Sequence, residues 1–158
     1  MLSPDVRTTA LPAHSKLHAY NRSGDFLDCY GVPSPLDART AAEIITEFPS
    51  WVGKLLVVRG LLTSPFGLDN DGPDAADKLG PFPVEHSDAG EVIAGFNDRH
   101  LDFRVSVMAH QGQITLATWV HTHNIGGKAY LAAIMPFHIL IARNALTRVA
   151  QAQTPMAA

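Results

Sequence analysis

The stretch from residue 100 to 123 constrains the fold more than any other. Leu101, Phe103, Val105 and Val107 alternate with His100, Asp102, Arg104 and Ser106. Ile114, Leu116, Thr118 and Val120 then alternate with Thr115, Ala117, Trp119 and His121. Period two sustained this long marks antiparallel strands with one buried face. Gln111-Gly112 between the runs fits a two-residue hairpin turn. That turn opposes His110 to Gln113, and the register follows from it. Val105 meets Thr118, Phe103 meets Val120, Leu101 meets Thr122, Arg104 meets Trp119, Asp102 meets His121 and His100 meets His123. A weaker turn at Asp98-Arg99 extends the sheet to Val92, Ala94 and Phe96, joining Phe96 to Leu101 and Ala94 to Phe103.

The register separates two faces. One carries Val92, Ala94, Phe96, Leu101, Phe103, Val105, Val107, Ile114, Leu116 and Val120, each worth about 1.5–3 kcal/mol on burial. The other carries His100, Asp102, Arg104, Trp119, His121 and His123. Opposed side chains lie about 4.5–5.5 Å apart, within contact range. Asp102 beside His121 would favour the imidazolium. Arg104 over Trp119 suits a cation–π contact. His100 facing His123 is the pair most like a metal site, but no third ligand stands at a telling spacing. His14, His18 and His86 lie in less regular segments, and His138 reads as a helix packing residue. The polar face is open to three readings: a solvated surface, a subunit interface or polar pocket, and a catalytic or metal site. Solvation explains the residues with least.

The remaining chain supplies the other layer. Residues 1–24 lack periodicity and read as an extended or mobile arm. Phe26–Val32 is a strand that Pro33-Ser34-Pro35 stops. Asp37 starts a helix in which Ala41, Ile44, Ile45 and Phe48 share one face, and Pro49 ends it. Ser50 can cap a second short helix carrying Trp51, Leu55, Val58 and Leu62. Residues 63–83 are rich in Pro, Gly and Asp and read as a long loop, a lid or a tolerated insertion. From about Lys128 a long helix carries Tyr130, Ile134, Phe137, Ile141 and Ala145 as an apolar stripe, with Pro136 expected to kink it. Residues 151–158 are a frayed tail.

Composition narrows the function classes. The 158 residues fit one domain at 25–150, and the 46% apolar share is that of a globular protein. The net charge of −3, with Lys and Arg scattered, offers no field for nucleic acid. Cys29 is the single cysteine, so a reducing compartment and a cytoplasmic location are expected. It has no CxxC partner and reads as a buried structural thiol. No uninterrupted apolar run approaches the roughly 20 residues that span a bilayer, and no signal peptide is expected. No GxSxG elbow is present, and Gly126-Gly127-Lys128 lacks the rest of a phosphate loop. No cofactor is expected.

Several strings together resemble a known family. They are Trp51-Val52 with Leu56-Val57-Val58-Arg59, Gly67-Leu68, Gly80-Pro81-Phe82-Pro83-Val84, Asp98-Arg99-His100-Leu101-Asp102-Phe103-Arg104, and Ala129-Tyr130-Leu131 with Pro136-Phe137-His138. They resemble an uncharacterised bacterial domain family, found alone or after short-chain-dehydrogenase-like domains, over roughly residues 25–150. The resemblance implies an α+β helix-grip fold (Bet v 1-like, START-like): a curved antiparallel sheet, two short helices after the first strand, and a long C-terminal helix on the sheet. It implies a small apolar or amphipathic ligand and no established catalytic residue.

Three functions follow as expectations. In the first, an apolar ligand sits between Phe96, Phe103, Val105, Leu116 and Val120 of the sheet and Tyr130, Ile134, Phe137 and Ile141 of the helix. In the second, Asp102 and His121 supply acid–base chemistry while Arg59 or Arg104 holds an anionic substrate. In the third, the domain is structural and pairs with a partner or with a second copy as a homodimer.

Overall fold

The computed structural model describes residues 6–47, 76–79, 82–97 and 100–152. Seven strands among them form one curved antiparallel sheet, in the order β1-β2-β7-β6-β5-β4-β3. They are β1 (Arg7–Thr8), β2 (Phe26–Pro33), β3 (Lys78–Leu79), β4 (Phe82–Ser87), β5 (Glu91–Asn97), β6 (Leu101–His110) and β7 (Gln113–Thr122). Helix α1 (Ala38–Ile45) follows β2, and the 28-residue helix α2 (Ile125–Ala152) closes the chain. A long C-terminal helix held against a curved sheet is the helix-grip, Bet v 1-like arrangement. The second short helix expected after Ser50, Arg59, and residues 63–75 of the expected loop all lie outside the described residues.

The β6–β7 hairpin has the register its turn dictates. His110 pairs with Gln113, Val105 with Thr118, Phe103 with Val120, Asp102 with His121 and Arg104 with Trp119. Gln111 and Gly112 have φ of 51° and 76°. Both central residues are thus left-handed, as a turn matching the strand twist requires. The turn also receives β2, since the Ser34 amide donates to the Gly112 carbonyl at 3.0 Å.

The β5–β6 register corrects the expected one. Phe96 pairs with Phe103 and Ala94 with Val105, not with Leu101 and Phe103. The slip is two residues, so every side chain keeps its face. The start of the sheet also extends into the stretch read as loop, because Lys78–Leu79 pairs with Phe82–Pro83.

Residues 6–24 form no free arm. Arg7 and Thr8 pair with Gly31 and Tyr30, and a 3-10 turn at Lys16–Ala19 buries Leu17 completely. Glu91 holds this segment down. Its carboxylate accepts from the hydroxyls of Ser15 and Ser106 at 2.6 Å each and from the Lys16 amide at 2.9 Å. Leu17 then packs with Cys29, Ala117 and Trp119 as a second small core on the outer face. Burial there, and then the charge of Asp28, push the Cys29 thiol up to about 11. It is therefore a poor nucleophile near neutral pH.

The main core lies on the inner face, between sheet and helices. Ala38, Ala41, Ala42 and Ile45 of α1 meet Ala142, Ala145, Leu146 and Val149 of α2 above Val92, Val107, Ile114 and Leu116. The packed side of α2 follows the expected stripe except at Phe137. Gly127, Ala142, Ala145, Leu146, Val149 and Ala150 are buried, Tyr130, Ile134 and Ile141 are half-buried, and Phe137 is 49% exposed. The start of the helix lies close to the sheet: a Cβ on Gly127 would stand 2.2 Å from the His100 carbonyl oxygen.

By length and composition α2 could cross a membrane, since one 18-residue window has a mean hydropathy of 1.5 and is 11% buried. Lys128 and His138 interrupt its apolar run, which is why counting uninterrupted residues passed over it. Its last turns are nonetheless built into the domain. Arg143 donates to the Val6 carbonyl at 3.2 Å, and Arg148 donates to the carbonyls of Ile44 and Glu47 at 2.6 Å each. Arg148 thereby satisfies carbonyls left open at the end of α1.

Two glycines separate conformational strain from close packing. Gly95 has φ 144°, and a Cβ there would lie 2.4 Å from the Phe103 carbonyl oxygen. Gly112 has φ 76° with nothing within 4 Å. Gly112→Ala should cost about 1–2 kcal/mol, whereas Gly95→Ala should cost at least about 3 kcal/mol, because backbone must also move. Urea denaturation of the two variants checks this, and equal costs would contradict it.

Candidate functional site

The inner face does not fill with side chains everywhere. A cavity of about 210 Å³ lies between β5, β6 and β7 on one side and α1 and α2 on the other. Val92, Ala94, Val105, Val107 and Leu116 line its floor, with Leu79 and Phe82 at one side. Ala42, Ile45 and Thr46 of α1 and His138, Ile141, Ala142 and Ala145 of α2 complete the wall. Several of the lining residues, Ala42, Ala94, Ala142 and Ala145, carry short side chains. An apolar cavity of about 150 Å³ is enough to take up benzene, so this one has room for a small ring or short chain.

Of the residues expected to contact a ligand, Val105, Leu116 and Ile141 stand on this wall. The others lie elsewhere. Phe96 and Phe103 pack edge to face at 4.8 Å, Val120 sits beside Phe103 in the ladder, and Tyr130, Ile134 and Phe137 belong to the earlier turns of α2. Phe137 points away from the core because it falls one position from His138, roughly 100° around the helix.

His138, read from the sequence as packing, carries the polar chemistry of the wall. Its Nε2 lies 2.8 Å from Asp28 Oδ2, and the Phe26 ring meets its imidazole edge to face. Asp28 pairs across the sheet with Thr118, which also lines the cavity. Asp28 Oδ1 is buried and has no hydrogen-bond partner among the described residues. Sequence reasoning passed over Asp28. The available signal was its phase in β2, where it shares the inner side with Tyr30 and Val32 and so needed a partner inside.

The outer face holds the second polar cluster, and its contacts differ from the expected ones. Asp102 and His121 are opposed in the ladder, but neither bonds the other. His121 Nδ1 lies 2.6 Å from Asp25 Oδ1, and His123 Nε2 lies 2.8 Å from Asp102 Oδ1. Strand twist and the neighbouring segment decide this, since residues 11–25 fold over the face and bring Asp25 into it. Trp119 is 3% exposed and donates its indole N–H to Asp25 Oδ2 at 2.9 Å. Arg104, 7% exposed, lies over the Tyr20 ring rather than that of Trp119, and its Nε is 2.7 Å from Glu85 Oε1. A covered Arg104 already paired with a carboxylate is not placed to hold an anionic substrate.

The two histidines considered for a metal are held apart by other bonds. The Asn124 amide donates to His100 Nδ1 at 3.0 Å, while Asn124 Oδ1 accepts from the Gly127 amide at 2.9 Å and caps α2. His123 is bound to Asp102. Among the described residues no group of three or more His, Cys, Asp or Glu is arranged to hold a metal ion.

Residues 21–145 match the model of a family described as protein of unknown function (DUF2867). No curated protein matches the chain. No solved structure matches it.

The Asp25 cluster has a stability consequence. Burial raises the Asp25 pKa, but hydrogen bonds from His121, the Arg22 amide and Trp119 outweigh it, and the net shift is downward. A carboxyl lower in the folded than in the unfolded chain stabilises the fold fully above its unfolded value, about 4. That contribution fades as pH falls through the folded value. Asp25→Asn should therefore cost about 1–3 kcal/mol at pH 7, and its deficit against the parent should shrink as pH falls from 5 to 2. Urea midpoints across that range measure it; a deficit that stays constant with pH would contradict the assignment.

Proposed function

We propose that this chain, which belongs to the DUF2867 family of proteins of unknown function, binds a small apolar or amphipathic molecule between its sheet and its C-terminal helix. One observation carries the reading: a cavity of about 210 Å³ with an almost entirely apolar wall, at the place where the helix grips the sheet. Protein interiors are otherwise packed nearly as densely as organic crystals. Ligand pockets have this composition, apolar walls with a few placed polar groups.

The acid–base reading has less support, because Asp102 and His121 each engage another residue and Arg104 is paired with Glu85, while Arg59 lies outside the described residues. Self-association keeps one supporting observation. Ile125, Phe137, Ile139 and Leu140 of α2 are 84%, 49%, 38% and 56% exposed. Apolar side chains of this size are common at subunit contacts, and sedimentation at micromolar concentration reads this directly.

Native mass spectrometry of protein purified from its own host tests the binding reading. The parent should carry a small co-purifying mass, lost on denaturation. Leu116→Trp, which places an indole in the cavity at a stability cost of about 1–3 kcal/mol, should come without it. A parent that emerges bare and takes up no monocyclic aromatic probe would contradict the proposal.

A further inference from the structure

The cavity wall is mostly apolar, and of its polar residues Thr46 spends its hydroxyl on the Ala42 carbonyl while His138 and Thr118 form one corner. His138 and Thr118 stand on the wall, and Asp28 lies behind both, hydrogen-bonded to His138 at 2.8 Å and paired across the sheet with Thr118. A carboxylate accepts only, so His138 Nε2 carries the proton between them. In the neutral imidazole the other nitrogen, Nδ1, is then an acceptor. Asp28 Oδ1 is buried without a partner among the described residues and does not line the cavity. His138 is therefore the group through which this corner meets the cavity.

We propose, resting on the cavity being the binding site, that its occupant is a small uncharged molecule bearing a hydroxyl group, with the hydroxyl donating to His138. Asp28 acts there as the group that orients His138. The chemistry excludes the neighbouring classes. A carboxylate-bearing molecule would bring a second negative charge against Asp28. An ammonium would have to leave water for a wall with a single carboxylate, a desolvation that one pairing does not offset. A plain hydrocarbon fits the space but leaves His138 Nδ1 unmet. The space of about 210 Å³ has room for a single substituted ring.

Three probes of nearly one shape separate these cases: p-cresol, toluene and benzoate, titrated into the full chain by calorimetry. The parent should bind p-cresol about tenfold or more tightly than toluene, and benzoate most weakly. That preference is what one hydrogen bond supplies. Asp28→Asn should bring p-cresol and toluene within about threefold of each other. The parent alone offers an independent readout, in which the His138 imidazole nitrogen resonances should move with p-cresol and stay with toluene. Equal binding of p-cresol and toluene by the parent, with His138 unmoved, would overturn this inference and leave the cavity reading standing. Binding of none of the three would overturn the cavity reading itself. Tightest binding of benzoate would overturn the assignment of the corner as an acceptor.

Discussion

The ten-pair ladder between β6 and β7 is the constraint on which the rest of the molecule depends. Its two-residue turn needs left-handed backbone at both Gln111 and Gly112, and that requirement fixes the opposition of every residue along the ladder. Because side chains alternate with period two, fixing the register also fixes the faces. Val105, Val107 and Leu116 go inward, and Arg104, Ser106, Ala117 and Trp119 go outward. β2 then joins β7 on one side and β5 joins β6 on the other, and each inherits its faces from the ladder. The inner face receives α1 and α2, and the outer face receives residues 11–20. The cavity and the buried Asp25 cluster are consequences of that single division.

The two faces solve burial differently. Inside, the helices approach with small residues, and contact between Ala142, Ala145 and α1 brings the chains close while leaving space further along the same groove. The polar corner of that space uses one residue from the sheet and one from the helix, so its geometry exists only when both are docked. Outside, the covering segment is short and largely polar, and charge-assisted hydrogen bonds fasten it: Glu91 to Ser15 and Lys16, Asp25 to Trp119 and His121. Such bonds are each worth about 1.5–3 kcal/mol when buried. They make the N-terminal segment part of the sheet's stability rather than a decoration on it.

The sheet was legible in the sequence because alternation and turn chemistry are local signals. The β6–β7 pairing and the separation of Phe103 and Val120 from Asp102 and His121 follow from residues 100–123 alone. The β5–β6 register was less legible, because Asp98-Arg99 carries no residue that compels a two-residue turn. What the sequence could not show is which partner a side chain takes when several are in reach. Asp25, Tyr20 and Glu85 come from segments without periodicity, yet they decide the contacts of His121 and Arg104. The packed side of α2 was legible from its 3.6-residue period except at one position. His138 falls inside and its neighbour Phe137 outside, and hydrophobicity alone chose the wrong one of the two.

The most direct test of the central claim, that the space between sheet and α2 is the binding site, follows side-chain methyl groups by NMR as p-cresol is added. Methyls of Val105, Leu116 and Ile141 line the cavity, while those of Ile125 and Leu140 lie on the exposed surface of the same helix. Saturable shifts at the first three, with the last two unchanged, are the expected result. Shifts confined to Ile125 and Leu140 would place binding on the helix surface and contradict the account.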